Sequence, residues 1–364
     1  TAFITDCYHQ FKPSKNFHRG FDEWVWIRGQ EADPYRSGPA VPGAEIAKHM
    51  VEPPEENPSL ARFLRIYLQN NAFRHTEEDY YPARVFGEAS RWVWNNLDAE
   101  RIFLVVDSFD PHEPWDPPVY YRRLYDPEDD VEDIIHSGYG DWRGKLTPRQ
   151  VQRVQANYAG EVTLVDRWFG HFMETLRLSG RLEDTVVGII SDHGHNLGHD
   201  PGDKCLISKQ GHPMTRAVAD LVMMIRHPKG EAAGSECHAL VYNFDLTTTL
   251  LSIAGIEPHP QMQGIDLWPL VAGGGRGRDY VSIGWSAAIT VIDDEWWYNA
   301  GLWGSRALLY RVKEDPALEH NLASEYPEVC KQMQERVLAD ADGDIPELLQ
   351  EFHLAQLGCT PYEE

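Results

Sequence analysis

Residues Thr185–Asp200 read TVVGIISDHGHNLGHD. The run through Val186, Val187, Ile189 and Ile190 is apolar and β-branched, which predicts a buried strand ending at Ser191. The chain then turns polar at once, at Asp192-His193-Gly194. In an open parallel α/β sheet, ligands gather just beyond the carboxyl ends of the strands. A hard carboxylate beside an imidazole at such a point suits a divalent cation, and Gly194 allows a tight turn away. Four histidines between His193 and His212, with Lys204 and Lys209, strengthen that interpretation over a plain polar loop. Asp192 and His193 therefore read as half of a metal site, and the rest of the chain has to supply further groups.

Working outward, Thr1–Thr5 and Arg101–Phe109 (RIFLVVDSF) read as two more buried strands. Each ends in reactive-looking residues: His9 follows the first, and Asp110-Pro111-His112-Glu113-Pro114-Trp115 follows the second. Helical spacing marks Ser59–Asn70 and Arg84–Asn96. Thr147-Pro148-Arg149-Gln150 announces the clearest helix, with a capping Thr, Pro at the first position and Gln three residues after the cap. Its apolar residues recur from Val151 to Leu176, and Gly180 closes it. Asp166 and Glu161 on this helix read as surface or interhelical contacts. Residues 116–146 form a Pro- and Asp-rich excursion suited to a lid. Leu221–Ile225 reads as a strand and Asp245–Ala254 as a short helix. Beyond Gly273 the pattern changes to short alternating strands, at 280–284, 288–292, 295–298 and 308–312, and a terminal helix at 327–339.

These elements predict an α/β fold: a large, mostly parallel central sheet flanked by helices on both faces, with a small C-terminal antiparallel sheet plus helix. The expected domains are 1–272 and 273–364. A net charge of −24 disfavours nucleic acid and anionic membrane surfaces as partners. No apolar run reaches the roughly 20 residues of a membrane helix. Five widely spaced cysteines without a C-x-x-C pattern read as reduced thiols. That favours a soluble, cytoplasmic protein over a periplasmic one, and leaves open whether it forms a homo-oligomer.

Seven segments, in order, resemble the sulfatase family of the alkaline-phosphatase-like superfamily. They are NFHRGFDEW (16–24), FLVVDSFDPHEPWDPP (103–118), NYAGEVTLVDRWFG (157–170), IISDHGHNLGH (189–199), LVMMIRHP (221–228), QGIDLWPLV (263–271) and LYRVKEDPALEHNLA (309–323). The resemblance implies metal-dependent hydrolysis of a sulfate ester. In relatives the ester is a phosphate or phosphonate, and a non-catalytic binding remnant is a third alternative. It further implies a small-molecule or saccharide ester as substrate and a divalent metal, Ca2+ first, with Mn2+, Mg2+ or Zn2+ as alternatives. Asp192 and His193 would be metal ligands and His112 would contact the ester oxygens. Lys209 would be the cation on the sulfate, with Lys204 as its competitor. The family's Gly-Lys-x-His segment is replaced here by Thr5-Asp6-Cys7-Tyr8-His9, so His9 is either a site residue or a hydrogen-bonded structural histidine.

The sequence departs from the family in one large respect. The Cys-x-Pro-Ser-Arg type motif, whose Cys or Ser becomes formylglycine, has no counterpart, and neither do two metal-binding aspartates that ordinarily precede the first strand. Cys205–Lys209 and Cys359-Thr360-Pro361 imitate the motif only in part. The expectation is that roughly a hundred residues of an ordinary member are absent from this sequence, and with them the nucleophile.

Overall fold

The computed structural model describes residues 1–12, 15–199, 205–209, 212–273 and 277–356, with side chains described as far as residue 351. The chain folds as two compact units, Thr1–Asp184 and Thr185–Glu364.

In chain order the first unit contains β1 (Ala2–Thr5), β2 (Glu23–Trp26), α1 (Gly43–Lys48), α2 (Pro58–Asn71), α3 (Tyr81–Asn95), β3 (Leu104–Asp107), α4 (Val119–Arg122), the two-residue β4 (Gly140–Asp141) and α5 (Pro148–Leu178). Its sheet has the order β2-β1-β3, with both pairings parallel. All four residues of the central strand are buried, as a parallel strand covered on both faces requires. Thr5 lies opposite Trp26 on one side and Asp107 on the other, so the three strands end at the same edge.

Helices α3 and α5 pack together beside this sheet. On α3 the buried Val85, Ala89, Trp92 and Val93 recur at helical spacing. The ring of Phe86 meets Phe169 and Phe172 of α5, and Thr175 donates to Ser90 across the helix pair at 3.1 Å. The capping box at the start of α5 forms as predicted: the Gln150 N–H donates to Thr147 Oγ1 at 3.2 Å, and Gln150 Oε1 accepts the Thr147 N–H at 2.9 Å. Gly160 lets α5 approach the chain before α4 closely. A Cβ there would stand 2.8 Å from Pro117 Cγ.

The excursion 116–146 is pinned down and does not have the makings of a loose lid. Arg153, only 2% exposed, donates to Asp126 at 2.6 Å and to Asp133 at 3.0 Å, and Arg149 forks onto Asp126 at 2.8 and 2.9 Å. Ile134 and Ile135 of the same segment are buried.

The second unit contains β5 (Val187–Ile190), β6 (Asn196–Leu197), β7 (Leu206–Ser208), α6 (Arg216–Ala219), β8 (Met223–Arg226), α7 (Asp245–Ile253), α8 (Trp268–Val271), β9 (Tyr280–Trp285), β10 (Ala288–Asp293), β11 (Trp296–Gly301), β12 (Leu308–Arg311), α9 (Pro327–Asp340) and α10 (Glu347–Gln356). β5 pairs antiparallel with β8. The strand is where the sequence put it, but its burial is not complete, since Ile190 is 40% exposed.

The sheet β12-β11-β10-β9 is an antiparallel meander buried on both faces. Ile289, Val291, Tyr298, Ala300 and Leu309 pack on one face with Met333 and Val337 of α9. Val281, Ile292, Trp297 and Tyr310 pack on the other with Met214 and Leu318. Two polar ties hold this sheet to earlier parts of the unit. Asn299 accepts the Met214 N–H at 3.1 Å and donates back to the Met214 carbonyl at 3.2 Å. Arg278 forks onto the fully buried Asp245 at 2.5 and 2.7 Å.

Candidate active site

The shared edge of the parallel sheet in the first unit carries three loops: residues 6–12 after β1, 27–33 after β2 and 108–116 after β3. One side chain from the middle loop ties the other two together. Gln30, 1% exposed, donates through Nε2 to Asp110 Oδ1 at 2.7 Å and, more weakly, to Asp6 Oδ2 at 3.5 Å. The other oxygen of Asp6 accepts the Phe109 N–H at 2.7 Å. At the strand ends themselves, Asp107 Oδ2 accepts from Thr5 Oγ1 and Gln10 Nε2, each at 2.7 Å.

His9 and His112 come together around a single aromatic ring. The Phe109 ring centroid lies 4.2 Å from that of His112 and 6.1 Å from that of His9. His112 is half-buried, and its Nδ1 lies 2.6 Å from the Glu113 carbonyl oxygen. That geometry requires a proton on Nδ1 and assigns the site chemistry to Nε2. Glu113 is 2% exposed and accepts a short hydrogen bond from the Tyr139 hydroxyl. His9 Nε2 stands 2.6 Å from Glu31 Oε2, and its Nδ1 stands 2.6 Å from Lys12 Nζ.

Behind these loops lies a group of carboxyls that the sequence did not announce. Asp6 is fully buried, Asp110 is 6% exposed and Glu161 of α5 is 1% exposed. Burial, with Asp110 as charged neighbour, pushes the Asp6 carboxyl well above its ordinary range. Burial likewise pushes Asp110 up to about 7, opposed by the Arg74 guanidinium. Burial, reinforced by Asp110 and Asp116, raises Glu161. Glu161 Oε1 accepts the Asp116 N–H at 2.9 Å, while Asp116 is paired with Arg74 at 2.9 Å and accepts from Tyr67 at 2.6 Å. Glu161 is thus an interior acid, so of the two expected roles, surface or interhelical contact, the surface one is excluded. A signal did exist: Asn157, Glu161 and Leu164 repeat at the spacing of the buried face.

In the second unit, Asp192 and His193 follow β5 as predicted. The Asp192 side chain is 84% exposed, its Oδ1 accepts the His193 N–H at 2.7 Å, and its Oδ2 lies 3.7 Å from His193 Nε2. His193 Nδ1 lies 2.9 Å from the Gly194 carbonyl, and the ring meets Trp285 edge-on. Gly194 has a different role from the one expected. It is not among the residues of positive φ, and its lack of a side chain serves close approach: a Cβ would stand 2.0 Å from the Ala217 carbonyl oxygen. Lys209 directly follows β7 and is half-buried, and Lys204 lies outside the described residues. Among the described residues, no group of three or more His, Cys, Asp or Glu side chains could hold a metal ion.

The family model for sulfatases matches residues 1–256. The chain belongs to the sulfatase family, and its α/β architecture is that of the alkaline-phosphatase-like superfamily. An arylsulfatase of Clostridium perfringens (strain 13 / Type A) is 26% identical over 224 residues, covering 56% of this chain and 45% of that protein. An N-acetylglucosamine-6-O-sulfatase of Bacteroides thetaiotaomicron is 32% identical over 167 residues, covering 43% of this chain and 28% of that protein. The crystal structure of a phosphonate monoester hydrolase of Agrobacterium radiobacter superposes with a TM-score of 0.62 at 21% identity, covering 76% of this chain and 63% of that chain. The chain thus spans less than half the length of either of these curated relatives.

Proposed function

We propose that this protein takes part in hydrolysis of a sulfate ester, as a sulfuric ester hydrolase acting on a small-molecule or saccharide sulfate. The observation that carries this is the pairing of His112 and His9 around Phe109, at the strand-end edge of a chain that belongs to the sulfatase family. An ester sulfur centre gathers negative charge on its equatorial oxygens as the bond to the leaving group breaks, so groups held in place to meet that charge lower the barrier. His112 suits this role because the Glu113 carbonyl fixes its ring and Asp110 behind it is bonded to Gln30, the side chain that also reaches the loop after β1. His9 and Lys209 are the further site residues proposed, with Lys204 as the alternative to Lys209. The 32% identity to an N-acetylglucosamine sulfatase supports a saccharide substrate. The phosphonate monoester hydrolase fold supports a phosphate or phosphonate ester as the second reading.

Sulfatases use a divalent metal ion. Asp192 and His193 would hold it here. A solvent-facing carboxylate and an imidazole anchored through Nδ1 fit two donor positions of such an ion, and we favour Ca2+ over Mn2+, Mg2+ or Zn2+ on the hardness of the carboxylate. When bound, the metal supplies electrostatic stabilisation to the ester oxygens.

The boundary near Gly273 is retained as the proposed end of the α/β domain, supported by a family match that ends at residue 256. No helix among the described residues is long and apolar enough to cross a membrane. Among the described residues no disulfide is formed, and a cytoplasmic setting remains the proposed localisation.

The test is a comparison of 4-nitrophenyl sulfate, bis-(4-nitrophenyl) phosphate and a phenylphosphonate ester, on protein that carries the family's nucleophile motif together with these residues. Sulfate preferred by tenfold or more, and lost on His112→Ala, is the expected result. Preference for either phosphorus ester would select the second reading, and no turnover of any would leave a binding role.

A further inference from the structure

Glu113 follows His112 in the chain, and its setting is a costly one for a carboxylate. It is 2% exposed, and taking an ionised oxygen out of water is unfavourable unless donors or opposite charge meet it. Two groups do so. The Tyr139 hydroxyl, reaching in from the 116–146 excursion, donates to Glu113 Oε1. The other oxygen, Oε2, lies 3.4 Å from His112 Nδ1. The same ring nitrogen is 2.6 Å from the Glu113 main-chain carbonyl, so both of these acceptors for the Nδ1 proton belong to one residue. The carbonyl is enough to set the tautomer, and any residue at position 113 would offer it. What only a glutamate adds is negative charge against the ring, and a carboxylate within about 4–6 Å of an imidazole favours its charged form. Tyr139 keeps that charge in place. Burial first, then the Glu113 charge and the bond to it, push the Tyr139 hydroxyl up, so the phenol stays the donor and the carboxylate the acceptor.

We propose that Glu113 is a positioning residue for His112: its side chain holds the imidazole at Nδ1 and favours the imidazolium, the form that meets an anionic ester. This rests on the reading that the edge binds such an ester. The other titratable groups here come from separate elements. Asp110, two residues before His112, accepts from Gln30 at 2.7 Å and is faced by Arg74. His9, across the Phe109 ring, stands against Glu31 at 2.6 Å, and the Glu31 charge also reaches Tyr139. Asp110 and Glu31 are each engaged with another side chain, whereas Glu113 bears on the His112 ring itself. The excursion thereby reaches the reactive histidine through a single bond, Tyr139 to Glu113.

The experiment titrates the imidazoles of the 13C,15N-labelled 364-residue chain by long-range 1H–15N spectra. His112→Gln assigns the signal, and circular dichroism checks that each variant folds. Glu113→Gln keeps the shape and removes the charge, so the His112 midpoint should fall by about one unit or more, with partial recovery in Glu113→Asp. The 13C signal of the Glu113 carboxyl needs no variant: it should be that of an ionised group at pH 7, and a protonated acid there would overturn the proposal. The companion measurement is hydrolysis of 4-nitrophenyl sulfate by protein that also carries the family's nucleophile motif. A lower midpoint deprotonates His112 at lower pH, so kcat of Glu113→Gln should drop about tenfold above the wild-type midpoint and change little below the variant's. A loss equal at every pH would mark a merely structural residue and overturn the positioning role, as would an unchanged midpoint in a folded Glu113→Gln. A lowered midpoint with hydrolysis indifferent to both Glu113→Gln and His112→Ala would instead overturn the reading of this edge as the ester site, with the Glu113–His112 pair left standing.

Discussion

The Gln30 side-chain amide donates to the Asp110 carboxyl at 2.7 Å, with both groups inside the protein. Through that bond the loop after β2 is fastened to the loop after β3, which bears His112 two residues further on. Replacing Gln30 by Leu removes the donor and leaves a buried acceptor, which costs about 1–3 kcal/mol. Urea unfolding should show this loss, while the conservative Gln30→Glu variant should be at least as harmful because it adds a carboxyl to an acidic interior.

The buried acids make stability fall as pH rises. Asp6, Asp110 and Glu161 all have folded-state pKa values raised by burial, with Asp110 reaching about 7. In the unfolded chain they ionise near 4. Between these limits the native state holds more protons than the unfolded state, so the stability they contribute is complete below pH 4 and is lost as pH climbs through 7. Arg74 faces the same group and opposes the rise at Asp110 without reversing it. Asp110→Asn should flatten the profile and stabilise the protein at pH 8 by about 1–3 kcal/mol. Denaturant melts at pH 5, 6.5 and 8 decide the matter, and a stability that rises across this range in the wild type would refute it.

Two glycines should respond in opposite directions. A Cβ at Gly194 would collide with the Ala217 carbonyl, so Gly194→Ala should cost upwards of about 3 kcal/mol or prevent folding of the loop that carries Asp192 and His193. Gly170, inside α5, has nothing within 4 Å of such a Cβ. Gly170→Ala should therefore raise stability by roughly 0.5–1 kcal/mol, the helix propensity difference. Thermal melts of both variants test the pair.

Calcium binding by this chain should be weak, in the millimolar range, because Asp192 and His193 provide two donors where a tight calcium site uses six to eight oxygens. Asp192→Ala should abolish what binding there is. Micromolar affinity by calorimetry would show that donors beyond these two are at work.

Much of the architecture was legible because it obeys local rules. The α5 capping box, the alternating strands after residue 280 and the polar turn after Ile190 all follow from short-range pattern. β2 was not legible: Glu23–Trp26 is a four-residue strand with a half-exposed pattern, and it exists because it pairs with β1. The candidate site was legible where single residues end a strand, as at His112 and Asp192. It was not legible where the chemistry depends on long-range neighbours. Nothing local distinguishes Glu31 from any other loop glutamate, and for Glu161 the choice between surface and interior is settled only by the fold that encloses it. Gly194 stands out in the sequence as a turn residue, but the obstacle that excludes a side chain there is the carbonyl of Ala217, 23 positions away.

Asn299 in the third strand of the C-terminal meander grips Met214, the neighbouring Thr215 donates to Asn196 at 2.5 Å, and Gly194 is hydrogen-bonded to Val218 at 2.9 Å. The residues that follow Asp192 and His193 are therefore clamped between their own strand and a sheet more than eighty residues downstream. A frameshift or stop codon between residues 278 and 299 would not shed a dispensable tail. It would take away the floor beneath Asp192 and His193.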